Sequence, residues 1–269
     1  MNEIILIGTY SNYIGVYDFK NGRLKMIGEI NNIINPSFLC INQNMLYTVS
    51  ETKQGSIMSL KLDNNTIKKI DYKILEQSLP CYITTNNKDK LLVTNYESGS
   101  VIMYKIEENG IIGKEISRKQ YQNANMHFAE FIEDEIYVTD LGNDKIYIFD
   151  LYLELKYEIK IDAKSGPRHL ITTRERMYVI TEFTNEVLVY HKCGNRFRLI
   201  QKVSTLLNKD IPSYGAAIKI SSDSKNLYVT NRGDNSISVF EINEKGIRLI
   251  QNISSYGEFP RDILLNQND

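Results

Sequence analysis

The feature that most constrains this chain is that it repeats itself. Six apolar runs, each leading into a polar turn, recur along its length: ILIGTY ending at Tyr10, LYTVSE at Glu51, LLVTNY at Tyr96, IYVTDL at Leu141, MYVITE at Glu182 and LYVTNR at Arg232. The intervals run from 41 residues (Tyr10 to Glu51) to 50 (Glu182 to Arg232). The runs are too short for helices and rich in β-branched and aromatic residues, so they are strands. A β-rich period of about 40–50 residues marks a β-propeller, in which each repeat is one four-stranded blade.

Each repeat divides into four strands. The first set reads NPSFLCI (35–41), LPCYITT (79–85), NMHFAEF (125–131), PRHLITT (167–173), GAAIKIS (215–221) and FPRDILL (259–265). The runs above form the second set. The third includes GSIMSLKL and NSISVFEI, and the fourth is more polar, as in TIKKIDYKI and RFRLIQKV. Polar, charged outer strands suit an exposed sheet edge. Turn signals fall between the strands, with NG at 21–22, ESGS at 97–100 and GDNS at 233–236. Six copies of each strand type predict an all-β chain: one propeller domain over residues 1–269, with six four-stranded blades. The chain starts on a second strand and ends after a first strand. Residues 259–265 are therefore expected to pair beside residues 4–10 and close the ring.

Charge and cysteines narrow the function classes. The formal net charge is −1 with acids and bases intermixed, which gives no electrostatic case for nucleic acid or an anionic membrane surface. Cys40 and Cys81 sit inside apolar runs and read as buried small side chains. Cys193 lies at a solvated strand end beside His191, without metal-ligand spacing. MNEIILIGTY has no basic leader and reaches a polar turn quickly, so it reads as a strand, with a cytoplasmic location the expectation. There is no GxSxG elbow, P-loop or HExxH motif.

Several runs carry a resemblance. NPSFL followed by LYTVSE, then TNYESGSV, TDLGNDKIYIF, GPRHL, TEFTNEV, VTNRGDNSISVF and GEFPRD resemble, in order and over essentially the whole chain, the lactonase family of seven-bladed propellers. That group holds the 6-phosphogluconolactonases of the YbhE type and the fungal carboxymuconate lactonising enzymes. The resemblance implies hydrolysis of a sugar lactone without metal or organic cofactor. It also implies that this chain is shortened by about one blade, either as a six-bladed variant or as a truncated seven-bladed fold. The family pattern falls on His127, Arg168, Glu182 and Arg232 as the catalytic set. It departs at Asn125-Met126-His127, where the family commonly has HxH, and at Pro80-Cys81-Tyr82, where it has PCH.

The position of the strands adds to this. Starts of first strands and ends of second strands meet at one mouth of a propeller, where ligands bind. Those positions supply Arg261, His169, Glu51, Asn95 and Asn125 as substrate-binding candidates beside the four above. Guanidinium groups grip phosphate or carboxylate and stabilise the oxyanion formed when water attacks a carbonyl. A carboxylate or imidazole, Glu182 or His127, activates that water. The expected partner is a small anionic sugar lactone. Two rival readings keep the same scaffold: a lactonising or isomerising enzyme on a carboxylated substrate, and a non-catalytic propeller that binds a small anion, a peptide or a protein.

Overall fold

A computed structural model describes residues 3–63 and 66–266. The alternating runs form six antiparallel sheets, each built from consecutive strands. The first holds β1 (Glu3–Ile7), β2 (Tyr13–Lys20) and β3 (Arg23–Asn31). The second holds β4 (Leu39–Asn42), β5 (Met45–Ser50), β6 (Ser56–Asp63) and β7 (Thr66–Ile74). The third holds β8 (Pro80–Thr85), β9 (Lys90–Asn95), β10 (Ser100–Ile106) and β11 (Ile112–Gln120). The fourth holds β12 (Met126–Ile132), β13 (Glu135–Asp140), β14 (Lys145–Asp150) and β15 (Leu155–Lys160). The fifth holds β16 (Pro167–Thr172), β17 (Arg176–Thr181), β18 (Glu186–Cys193) and β19 (Arg196–Ser204). The sixth holds β20 (Tyr214–Ile220), β21 (Asn226–Arg232), β22 (Ser236–Asn243) and β23 (Gly246–Ser254).

One expectation is not met. Residues 259–265 form no strand, and the first sheet has three strands rather than four. The opening of this segment does not account for that: Phe259 at φ 52° before Pro260 repeats Leu79 at φ 54° before Pro80 and Gly166 at φ 64° before Pro167, which open β8 and β16.

The chain packs as two compact units. One is Met1–Val138 with Ile148–Lys156; the other is Thr139–Tyr147 with Tyr157–Asp269. In the first, the core gathers Tyr47, Val49, Ile57, Ile83, Val93, Ile102 and Tyr104, with a second cluster around Ile14, Leu46 and Leu60. In the second, Tyr178, Ile180, Val187, Val189, Val229 and Phe240 form the core. Middle strands such as β5 are buried along their whole length, whereas β3 and β19 are largely exposed. Strands buried on both faces read as continuous apolar runs, which is why the second strands were so visible in sequence.

Two kinds of bulge recur. The pairings of third with fourth strands shift register at Val16/Tyr17, Ser59/Leu60, Met103/Tyr104, Val189/Tyr190 and Val239/Phe240. Pairings of first with second strands shift at Pro80/Tyr82, Pro167/His169 and Gly215/Ile218. The second kind matters for chemistry, because a bulge re-aims the side chain of its extra residue. Those extra residues include Cys81 and Arg168.

Candidate functional site

The fifth and sixth sheets bring together four of the residues singled out from sequence. Pro167 pairs with Thr181 and His169 with Ile180, so Arg168 is the extra residue of a bulge. In an unbroken strand Arg168 and His169 would point to opposite faces. Here both are buried, and Arg168 Nη1 lies 3.4 Å from His169 Nε2. The bulge also frees the Arg168 carbonyl from the ladder, and the Thr139 hydroxyl donates to it at 2.7 Å.

The Arg168 guanidinium is only 3% exposed, and three groups hold it. Nε pairs with Glu182 Oε2 at 3.1 Å, Nη1 donates to the Ala216 carbonyl at 2.8 Å, and the His169 ring lies beside it. Arg232, at the end of β21, reaches the same oxygen. Its Nη2 stands 2.8 Å from Glu182 Oε2 and 3.2 Å from the Gly215 carbonyl. Glu182 thus bridges two guanidiniums from different sheets, with 15% of its side chain open to solvent.

Small residues make this possible. A Cβ on Gly215 would fall 2.4 Å from the Thr181 carbonyl, so only glycine lets β20 approach closely enough to offer its carbonyls. The β20 bulge leaves the Ala217 N–H outside the ladder, and it donates to the Thr230 hydroxyl at 2.9 Å.

His169 is a neutral imidazole. Burial, and then the charges of Arg168, Lys219, Arg232 and Arg261, hold its pKa well below the ordinary 6.5. A guanidinium only donates, so Nε2 is the acceptor and the ring proton sits on Nδ1. Four cations act on His169 and two of them share the Glu182 carboxylate, a surplus of positive charge that favours anions.

The other expected residues are placed differently. Arg261 is exposed and outside any strand, and its charge acts on His169. His127, Asn125, Glu51 and Asn95 belong to the other unit. There, His127 is buried with its ring edge-on to Tyr96, and Asn125 Nδ2 donates to the Tyr96 carbonyl at 3.1 Å. Glu51 accepts from the Tyr10 hydroxyl at 2.8 Å. Asn95 is fully buried and donates to Ser100 Oγ at 3.1 Å. Among the described residues, no group of His, Cys, Asp and Glu is arranged to hold a metal ion. The three cysteines are free, with Cys81 buried, Cys40 half-buried and Cys193 exposed.

Sequence reasoning missed Tyr214 and Phe183. Tyr214 pairs with Arg232 across β20–β21, and Arg232 Cζ lies 5.7 Å from its ring centre. Phe183 follows Glu182 directly, and its ring rests against Gly166. The available signals were an aromatic directly after Glu182, a strand end already chosen for its charge, and one directly before the first strand GAAIKIS. A groove of about 300 Å³ runs from Phe183 along Leu206 and Lys209 to Ser213. It lies beside the arginine–glutamate cluster rather than on it.

The match to known proteins is chain-wide. Residues 4–269 match the family model described as "Lactonase, 7-bladed beta-propeller". This chain belongs to the lactonase family. The 6-phosphogluconolactonase of Bacillus subtilis strain 168 is 27% identical, over 98% of this chain and 85% of the relative. That of Formosa agariphila is 30% identical, over 94% and 82%. A crystal structure of a protein from Lactobacillus plantarum superposes with a TM-score of 0.94 at 26% identity, covering all of this chain and 87% of that one. Among the described residues the propeller has six sheets, where the family description names seven blades.

Proposed function

We propose that this lactonase-family protein hydrolyses a phosphorylated sugar lactone, the reading that fits two relatives named 6-phosphogluconolactonase. The observation that supports this reading best is the Glu182 carboxylate held between the guanidiniums of Arg168 and Arg232. Water attacks the lactone carbonyl, and Glu182 takes its proton through Oε1, since both ion pairs converge on Oε2. The guanidinium N–H groups outside those pairs stabilise the tetrahedral oxyanion. The ring C–O bond then breaks, the ring oxygen recovers the proton from Glu182, and the open-chain acid leaves. Lys219 and Arg261 draw the anionic substrate in.

The test is hydrolysis of 6-phosphogluconolactone by purified protein, measured above the spontaneous rate. Glu182→Gln keeps the shape and removes the basicity, so kcat falls by more than KM rises. His127→Gln tests the other base named from sequence; a kcat loss there and none in Glu182→Gln would transfer the role. A second reading, an anion-binding propeller without catalysis, draws on the fact that Glu182 is already engaged by both cations. Calorimetric binding of 6-phosphogluconate with no rate above background would establish that reading instead.

A further inference from the structure

We propose that Phe183 and Tyr214 set the specificity of this site, two aromatic walls that take the C–H face of a single sugar-ring lactone while the guanidiniums take its charge. The inference rests on the lactonase reading and adds to it the face of the substrate that the site takes. Gly215 N donates to the Glu182 carbonyl at 3.0 Å. That carbonyl belongs to the peptide leading into Phe183, and that N–H to the peptide leaving Tyr214. The two aromatic residues therefore spring from hydrogen-bonded peptides beside the carboxylate.

Both rings are large, and both are half open, Phe183 being 44% and Tyr214 45% exposed. A lone exposed aromatic calls for no explanation. This pair differs because each ring is braced. Gly166, at φ +64°, packs so closely on Phe183 that a Cβ there would lie 2.5 Å from its Cδ2. Tyr214 is steadied by the Arg232 guanidinium. Braced rings give contact area at little entropic cost, and their electron-rich faces favour polarised C–H groups. Phe183 also forms one end of the adjoining groove of about 300 Å³, which neither Tyr214 nor the two guanidiniums line.

Steady-state kinetics on 6-phosphogluconolactone and on phosphate-free gluconolactone test this with wild type, Phe183→Ala, Tyr214→Ala, the double variant and Tyr214→Phe. Each alanine variant is expected to raise KM for both lactones about 5- to 10-fold with kcat nearly unchanged. The double variant compounds the effect, and Tyr214→Phe behaves as wild type. Thermal denaturation checks that every variant is folded. Active wild type with unchanged KM in both alanine variants overturns the inference and leaves the lactonase reading standing. A fall in kcat alone for Tyr214→Ala also overturns it, since Tyr214 then only holds Arg232. Wild type inactive on both lactones overturns the reading and the inference together.

Discussion

The strand pairs β8–β9 and β16–β17 share one backbone plan and differ in chemistry. Each opens on a proline, Pro80 or Pro167, and each bulges at the next residue. At the bulge stands Cys81 in one and Arg168 in the other. After it comes Tyr82 or His169, and beyond the end of the second strand comes Tyr96 or Glu182. In the first pair the bulge is sealed by weak contacts and rings. Cys81 Sγ lies 3.5 Å from the Met126 carbonyl and 3.6 Å from that of His127, and the Tyr82 ring makes tilted contacts with Phe38 and Phe128, centroids 4.1 and 4.8 Å away. In the second, the same backbone holds a buried ion network. A bulge that turns a side chain inward is thus indifferent to what it turns; the residue type makes one a wall and the other a site.

That comparison breaks first, if it is wrong, at Cys81. Cys81→Arg places a guanidinium on the matching bulge, where Tyr96 stands in the position of Glu182. The expected loss is about 3–5 kcal/mol, read by urea denaturation, because the charge is buried unpaired. A soluble variant losing under about 1 kcal/mol would show that the two bulges are not equivalent. Next in size is Glu182→Ala, which strands two guanidiniums. With the carboxylate partly open to water, about 2–4 kcal/mol of stability is expected to go.

Arg168→Ala is expected to cost about 2–4 kcal/mol of transition-state stabilisation in kcat/KM. Arg168→Lys should recover only part, because an ammonium has no planar fork. A fully active lysine variant would reduce Arg168 to a point charge.

A smaller effect appears in pH. His169 is neutral when folded and takes a proton below about pH 6.5 when unfolded, so the unfolded state binds more protons in acid. Its contribution to stability is complete above that pH and erodes as pH falls, by at most about 1.4 kcal/mol per pH unit. His169→Gln should flatten the curve of Tm against pH between about 7 and 5. An unchanged slope would mean that the acid sensitivity lies elsewhere. The smallest expected effect is that of Cys81→Ala, about 1 kcal/mol or less in stability with kcat/KM untouched.

Much of this was legible in the chain. Continuous β-branched runs such as LYVTN announced strands buried on both faces, and GND and GDNS announced the turns between them. The charged residues that end second strands led to Glu182 and Arg232. The bulges were not legible, since Pro-Arg-His reads as an ordinary alternation until two neighbours are seen buried together. Nor did FPRDILL announce that it would stay out of a sheet. Its apolar pattern matched the other first strands, and so does its opening, a left-handed Phe259 before Pro260 like Leu79 before Pro80.

Among the described residues, every ladder joins strands that are neighbours in the chain. Loop closure before each pairing is therefore short, which favours fast, sheet-by-sheet folding over a search for distant partners. The same locality bears on tolerance to change: where stability is close to a sum over repeats and their nearest neighbours, an insertion in the turn between two sheets leaves the ladders inside both untouched.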